Sequence, residues 1–402
     1  MNLLPRELIG EICNALHDKD AVTLGQTNKQ FLTNMSKTDF GYKVNHSVVF
    51  NTIFDMARDY KRRQYIIGSF RDINVTNMIQ LKYLPTSVTH ITFCPSFNMR
   101  IMIDNIKLPT SLTHLTFGHK FNNPIDKLKL QLSQSLTHLT FGDQFDQSID
   151  ELKLPQSLTH LEFGYNFNQP IDKIKLPQSL TDIIFGCTFN QPVVNLHLQQ
   201  SLTHITFGYY FNQSTDNIKL PESLTHLTFR NNFSVDNLEL PNSLTHLTFG
   251  NCFNKPIDKV KFPMSLSHLA FGNDFNKPID TLATLPSLKH LTFGTFFNQS
   301  IKDLESLSSL THLTLSNLPR MSIPFRLPES LTHLTFDYYF NESINNLELP
   351  KSLTHLTFGD LFNKSIKNLK LPSSLTYLTF GRGFNKSVDH LTSLSHLSIR
   401  RI

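Results

Sequence analysis

The chain has 402 residues, and its 37 lysines and arginines against 32 acidic residues give a formal net charge of +5, spread along the chain with Lys61-Arg62-Arg63 as the one basic cluster. So mild a balance argues against nucleic acid as a partner, and no stretch approaches the roughly 18 apolar residues of a membrane helix, so no membrane is expected either. The cysteines Cys13, Cys94, Cys187 and Cys252 are far apart and form no C-x-x-C pair. That pattern excludes a disulfide framework, and with an N-terminus that lacks a secretory signal it predicts a cytoplasmic protein, with the basic triplet leaving nuclear access open.

Residues 1–35 predict a small helical module. Pro5 stands at a helix start, and Leu8, Ile12 and Leu16, with Ile9 alongside, form an apolar stripe at helical spacing. Asp18 or Asp20 can cap a second short helix through Val22 and Leu24, and Thr27 or Asn28 a third that runs to Phe31. The order Leu4-Pro5-x-Glu7-Leu8-Ile9-x-x-Ile12, then Leu16, Asp20, Val22, Leu24 and Asn28-Lys29-Gln30-Phe31, resembles the F-box, which docks on the adaptor of a cullin-based ubiquitin ligase. The resemblance implies that Leu4, Pro5, Leu8 and Ile12 contact that adaptor. Read from the residues alone, the same helices could instead cap the apolar end of the segment that follows.

Residues 36–85 read as a linker and N-terminal cap, with a helix from Val48 through Ile53 and Met56 to Tyr60 and a degraded repeat from Tyr65 to Leu84. From 86 to 402 the chain repeats one phrase, as in Ser111-Leu112-Thr113-His114-Leu115-Thr116-Phe117-Gly118, fifteen times. Nine of the fourteen intervals between its anchor residues, from Val88 to Leu394, are 22 residues, and the rest lie between 19 and 24. A period in that range marks a solenoid whose units are stabilised by their neighbours.

Within a unit, Leu112, Leu115 and Phe117 have the spacing of a leucine-rich repeat strand, with His114 and Thr116 on the opposite face. Gly118 would let the chain leave the strand with unusual dihedrals. A second Phe follows, as in Phe121-Asn122, and the two positions account for 26 of the 34 Phe residues, so the aromatic content is packing. Asn follows the second Phe in eleven of thirteen cases and is expected to form a ladder that bonds backbone groups of the next rung. The return segment, Pro124 to Leu130, is expected to be extended. Pro stands two residues before the Ser in ten rungs, which argues against a helix in the repeat.

Phe121-Asn122-Asn123-Pro124-Ile125, Phe167-Asn168-Gln169-Pro170-Ile171 and Phe275-Asn276-Lys277-Pro278-Ile279 resemble the FNIP repeat, a relative of the leucine-rich repeat found in social amoebae and in giant DNA viruses that infect amoebae. The expected fold is thus a β-rich solenoid of leucine-rich-repeat-like units with a parallel sheet, preceded by the α-helical F-box-like module. Three units depart from the phrase: Arg230 and Ser234 replace Gly and Asn in one, the second Phe is lost near Leu318-Pro319 in another, and the last stops at Ile402.

No catalytic or cofactor chemistry is expected. Thirteen of the 18 histidines, from His90 to His396, share one strand position. Imidazoles some 5 Å apart on parallel rungs do not converge on a point as a metal ligand set must, but like-charge repulsion should depress their pKa values. The F-box resemblance implies a substrate-recognition subunit of an SCF-type ubiquitin ligase, partnered by adaptor and cullin, in the host cytoplasm if the chain is viral. The alternative is a non-catalytic interaction or structural solenoid. Target-binding candidates are the places where the strand face and the pair after the Gly abandon the pattern: Glu162, Tyr165, Asp182, Ile184, Tyr209 and Tyr210. Tyr338, Tyr339 and Tyr377 form a second group.

Overall fold

The computed structural model describes residues 72–75, 84, 88–96, 108–125, 132–194, 196–214, 218–230, 235, 238–316, 326–345, 347–391 and 396–401. The module expected over 1–35, with Leu4, Pro5, Leu8 and Ile12, and the helix expected from Val48 to Tyr60 lie outside the described residues. The chain divides into two compact units, Met1–Phe189 and Asn190–Ile402.

In the first unit, β1 (Asp72–Val75), β2 (His90–Phe93), β3 (His114–Thr116), β4 (His138–Thr140), β5 (His160–Glu162) and β6 (Asp182–Ile184) pair in parallel in sequence order. The segment read as a degraded repeat supplies β1, whose Asp72 pairs with His90 in register. In the second unit the same order runs through β7 (His204–Thr206), β8 (His226–Thr228), β9 (His246–Thr248), β10 (His268–Ala270), β11 (His290–Thr292), β12 (His312–Leu315), β13 (His333–Phe336), β14 (His355–Phe358), β15 (Tyr377–Phe380) and β16 (Ser398–Arg401).

The repeated phrase explains this architecture residue by residue. Leu112, Leu115, Phe117, Phe121 and Ile125 are all buried, as are their counterparts among the described residues up to Phe384. Each apolar side chain removed from water contributes about 1.5–3 kcal/mol, but only because the neighbouring rungs cover it. The Ser hydroxyl ties rung to rung: Ser111 Oγ donates to the Val88 carbonyl at 2.6 Å, and Ser179 to that of Leu158 at 2.6 Å. The expected Asn ladder is present, with Asn190 Oδ1 accepting from the Asn212 amide at 2.9 Å and Asn276 Oδ1 from that of Asn298 at 2.9 Å. Asp146 replaces Asn without breaking it, because a carboxylate oxygen still accepts the Asn168 amide at 2.9 Å.

Three expectations need correction. Gly118 is not required for an unusual dihedral; an added Cβ would lie 2.1 Å from the Cys94 carbonyl oxygen of the rung before, so close approach of backbones demands the glycine. Helical turns do occur in the return segment, as 3₁₀ turns at Asp280–Thr284, Lys302–Ser306 and Asp389–Leu391. In these rungs the Pro two residues before the Ser is missing and the apolar spacing changes from Leu-x-Leu to Leu-x-x-Leu, as in Leu282 and Leu285 or Leu304 and Leu307. Residues three apart share a face of a 3₁₀ turn, whereas residues two apart share a face of an extended segment. Finally, β16 pairs Ser398, not His396, with Tyr377. A slip of two residues keeps the in-out alternation, so hydrophobic pattern alone cannot choose between the registers. In the observed one the Arg400 guanidinium lies 5.9 Å from the Tyr377 ring centre and that of Arg401 5.7 Å from the Phe384 ring centre. His396 therefore stands outside the file of strand-face histidines.

Candidate interaction surface

The outer face of most strands carries one His and one Thr, and the pair of residues after the Gly forms a rim. Imidazoles stack along this face within each unit. In the first, His90, His114, His138 and His160 have ring centres 4.0 to 4.1 Å apart. In the second, the file runs from His204 to His355 with centres 4.0 to 4.2 Å apart. Strands in a sheet are about 4.8 Å apart, so the rungs converge towards this face. They diverge on the other, where the strand-end rings Phe271 and Phe293 are 5.6 Å apart and the deeper rings Phe275 and Phe297 are 6.1 Å apart. Within each unit the strands fan, with histidines on the inside of the fan.

In most rungs the Thr before the His positions its ring; Ser267 does so for His268, and Lys289 stands in that place before His290. Thr113 Oγ1 lies 2.9 Å from His114 Nδ1 and 3.1 Å from the Thr89 carbonyl oxygen of the previous rung. One hydroxyl hydrogen cannot serve both contacts. The tautomer with Nδ1 protonated satisfies both, since Nδ1–H donates to Oγ1 while Oγ1–H donates to the carbonyl. Nε2 is then left as the acceptor. Burial holds His138, His246, His290 and His333 below the ordinary imidazole value and lowers His268 and His312 to about 4; neighbouring imidazoles add to the effect, except at His290, where the Lys289 charge does. The sequence-based expectation named repulsion as the cause; desolvation comes first.

Four of the six target-binding candidates lie on the first unit. Asp182 ends its histidine file: the carboxylate is 3.3 Å from His160 Nε2 and also accepts from Thr181 Oγ1. Glu162 accepts weakly from Thr140 Oγ1 at 3.5 Å, Ile184 is partly exposed beside it, and Tyr165 projects from the rim with 52% of its surface in solvent. On that rim His119 Nδ1 meets Asp143 at 2.7 Å. Tyr209 and Tyr210 lie on the second unit, with rings edge to face at 5.2 Å. The Tyr209 hydroxyl lies 3.0 Å from Cys252 Sγ, and this hydrogen bond pushes the phenol pKa up. The second group, Tyr338, Tyr339 and Tyr377, lies wholly on the second unit, where Tyr377 continues the histidine file at 4.5 Å from His355. Sequence reasoning missed the Thr-His pairing, although the Thr that precedes the His in most rungs was its visible signal.

Among the described residues no group of three or more His, Cys, Asp or Glu side chains is placed to hold a metal ion, and no helix is long and apolar enough to cross a membrane.

The FNIP Repeat family matches residues 103–144, 121–164, 145–188, 189–232, 211–252, 232–274, 253–296, 322–361 and 362–392. A crystal structure of CroV588, described as a novel circular LRR protein, is 38% identical over 85% of this chain and 57% of that one, with a TM-score of 0.61. The chain thus spans a little over half the length of that relative. An internalin, InlF, from Listeria monocytogenes is 16% identical over 80% of this chain and 88% of its own, with a TM-score of 0.45. The functional domain of InlJ from the same organism is 12% identical over 85% of this chain and 64% of its own, with a TM-score of 0.34. No curated protein matches.

Proposed function

We propose, from the premise that this chain belongs to the FNIP repeat family, that it is a protein-binding scaffold acting as the substrate-recognition subunit of an SCF-type ubiquitin ligase. The repeats bind a protein target, and residues 1–35 dock on the adaptor, which is held by the cullin. The observation that carries the scaffold reading is the division of labour within the rung. Leu, Phe, Ser and Asn are consumed in holding rung to rung, while the strand-face and rim positions vary without cost to that framework. An extended surface of this kind suits a macromolecule better than a small substrate.

The ligase role rests on the spacing of Leu4, Pro5, Leu8 and Ile12 and on the pairing of an F-box-like segment with FNIP repeats. Ubiquitin transfer then belongs to the partners, and the site of action is the cytoplasm. The test is the double variant Pro5→Ala, Leu8→Asp in the full chain. A carboxylate forced unpaired into an apolar interface costs several kcal/mol, so adaptor and cullin should be lost from pull-downs while the thermal melt of the repeats is unchanged. Recovery of both partners at wild-type levels would leave the interaction scaffold without the ligase role.

A further inference from the structure

The excess of positive charge is concentrated at one end. Residues 351–402 contain eight basic and two acidic residues, a net of +6, against +5 for the whole chain, so the other 350 residues are close to neutral. The eight are Lys351, Lys364, Lys367, Lys370, Arg382, Lys386, Arg400 and Arg401, all exposed, and among the described residues none is held in an ion pair.

The same end carries exposed apolar surface. Tyr338, Tyr339 and Leu361 stand on the rim of successive rungs with 48%, 59% and 44% of their surface in solvent, and Tyr377 on the strand face with 41%. Tyr338 and Tyr339 meet edge to face at 4.9 Å, and the Leu361 amide donates to the Tyr338 carbonyl at 3.1 Å, which fixes the rim as one surface. Arg382 continues that rim, and Arg400, opposite Thr379, continues the strand face beside Tyr377. Tyr and Arg around a partly apolar centre is the composition that carries most binding energy in protein interfaces. Five residues of extended chain separate Tyr377 from Arg382, about 16 Å, so one peptide segment can cover face and rim together.

We infer that Tyr338, Tyr339, Leu361, Tyr377, Arg382 and Arg400 form the docking surface for an acidic protein segment that also carries aromatic side chains. This deepens the reading that the repeats bind a protein, and it rests on that reading. Charge complementarity selects the occupant: exposed, unpaired guanidinium groups beside tyrosines bind carboxylates bidentately while the rings take up apolar contact. A phosphate backbone fits less well. Asp337 and Glu342 flank the rim, Asp360 stands on it beside Leu361 with its Oδ1 accepting from the Arg382 amide at 3.1 Å, and the strand face leading to it presents imidazoles rather than a continuous stripe of cations.

The experiment measures binding of the full chain to a fluorescent random copolymer of glutamate and tyrosine, beside a thymidine oligonucleotide and phosphatidylserine vesicles. Wild type should bind the copolymer more tightly than either alternative, and the affinity should fall as salt rises. Arg382→Glu with Arg400→Glu should weaken it about tenfold or more, and Tyr377→His with Tyr339→Asn about three- to tenfold. The latter two substitutions install residues that other rungs already carry at these places, so folding is preserved. Lys153→Glu with Lys173→Glu on the first unit, an equal change of charge, should leave binding within twofold. Tighter binding to the oligonucleotide or the vesicles, unchanged affinity in the tyrosine variant, or equal loss in the Lys153 and Lys173 control would each overturn the proposal. Adaptor capture by residues 1–35 does not enter this measurement, so the ligase role and the docking surface fail separately.

Discussion

Two aromatic files run through the same rungs of the second unit, on opposite sides of the same strands. Phe271 and Phe293 stack at 5.6 Å, almost wholly buried, with Phe275 and Phe297 beneath them. On the other side His268 and His290 stack at 4.1 Å, half-buried, with the His268 ring fixed by the Ser267 hydroxyl before it. Repetition alone produces both stacks, because any side chain in a parallel, in-register array lies over its own copy. Burial and ionisation then decide what a stack does. The Phe file is inert to its surroundings and supplies cohesion; the His file lies in partial contact with water and holds groups that protonation can turn against one another.

Truncating one ring in each file separates these roles most strongly. Phe275 packs 4.0 Å from Phe271, 5.8 Å from Phe253 and 6.1 Å from Phe297, and it is fully buried. Phe275→Ala should destabilise the array by about 3–5 kcal/mol, since transfer energy and a cavity add. His268→Ala should cost less than about 1 kcal/mol at pH 7.5, because a half-buried ring gives up far less contact. Amide hydrogen exchange is the better measure, since a repeat array opens locally rather than in one step. Equal loss of protection in the two variants would show that the strand face is as cohesive as the core.

Almost all of the Phe file was legible in the sequence, because a period near 22 with Leu, Leu, Phe and Phe at fixed places admits one arrangement. What was not legible depended on register and on space. The slip that places Ser398 opposite Tyr377 preserves alternation and so leaves no trace in the pattern. The 3₁₀ turns were visible in retrospect as Leu282-x-x-Leu285, but the proline count drew attention to the rungs that contain Pro rather than to those that lack it. Gly118 carried the signal of a special position without saying that a neighbouring carbonyl, not a dihedral, required it. The candidate surface was harder still. Net charge averaged over the chain concealed the +6 of residues 351–402, and Tyr377 could be recognised as part of the histidine file, but Arg400 could not be placed beside it until the last register was known.

Acid should separate the files next. His268 and His312 are lowered to about 4, and His138, His246, His290 and His333 are lowered as well, by burial first and then mostly by neighbouring charge. Between the unfolded value of about 6.5 and about 4 the unfolded chain binds more protons than the folded one, so stability rises with pH across that window. It is therefore lost as pH falls from about 6.5 to about 4 and levels off below. These rings are partly solvated, and after allowance for screening the loss is on the order of 1 kcal/mol for each of His268 and His312. Thermal melts at pH 7.5, 6, 5 and 4 should show a progressive decline that His268→Gln with His312→Gln reduces. A flat profile would mean that protonated rings separate or find anions.

The smallest expected effect distinguishes the two histidine files from one another. The file of the first unit ends on Asp182, 3.3 Å from His160 Nε2, whereas the file of the second ends on Tyr377, which carries no charge at neutral pH. The Asp182 carboxylate partly offsets the burial and the neighbouring imidazoles that lower His138, two rungs away. Asp182→Asn keeps the size and the hydrogen bonding of the side chain and removes only the charge, so His138 should titrate lower still. An exposed pair of this kind contributes at most about 1 kcal/mol, and the global melt at pH 7.5 should barely move. The readout is the imidazole C–H shift of His138 followed by NMR through its titration, with His268 in the second unit as the internal reference. If both residues titrate as before, the carboxylate is too well solvated to act along the stack, and the two files respond to acid alike.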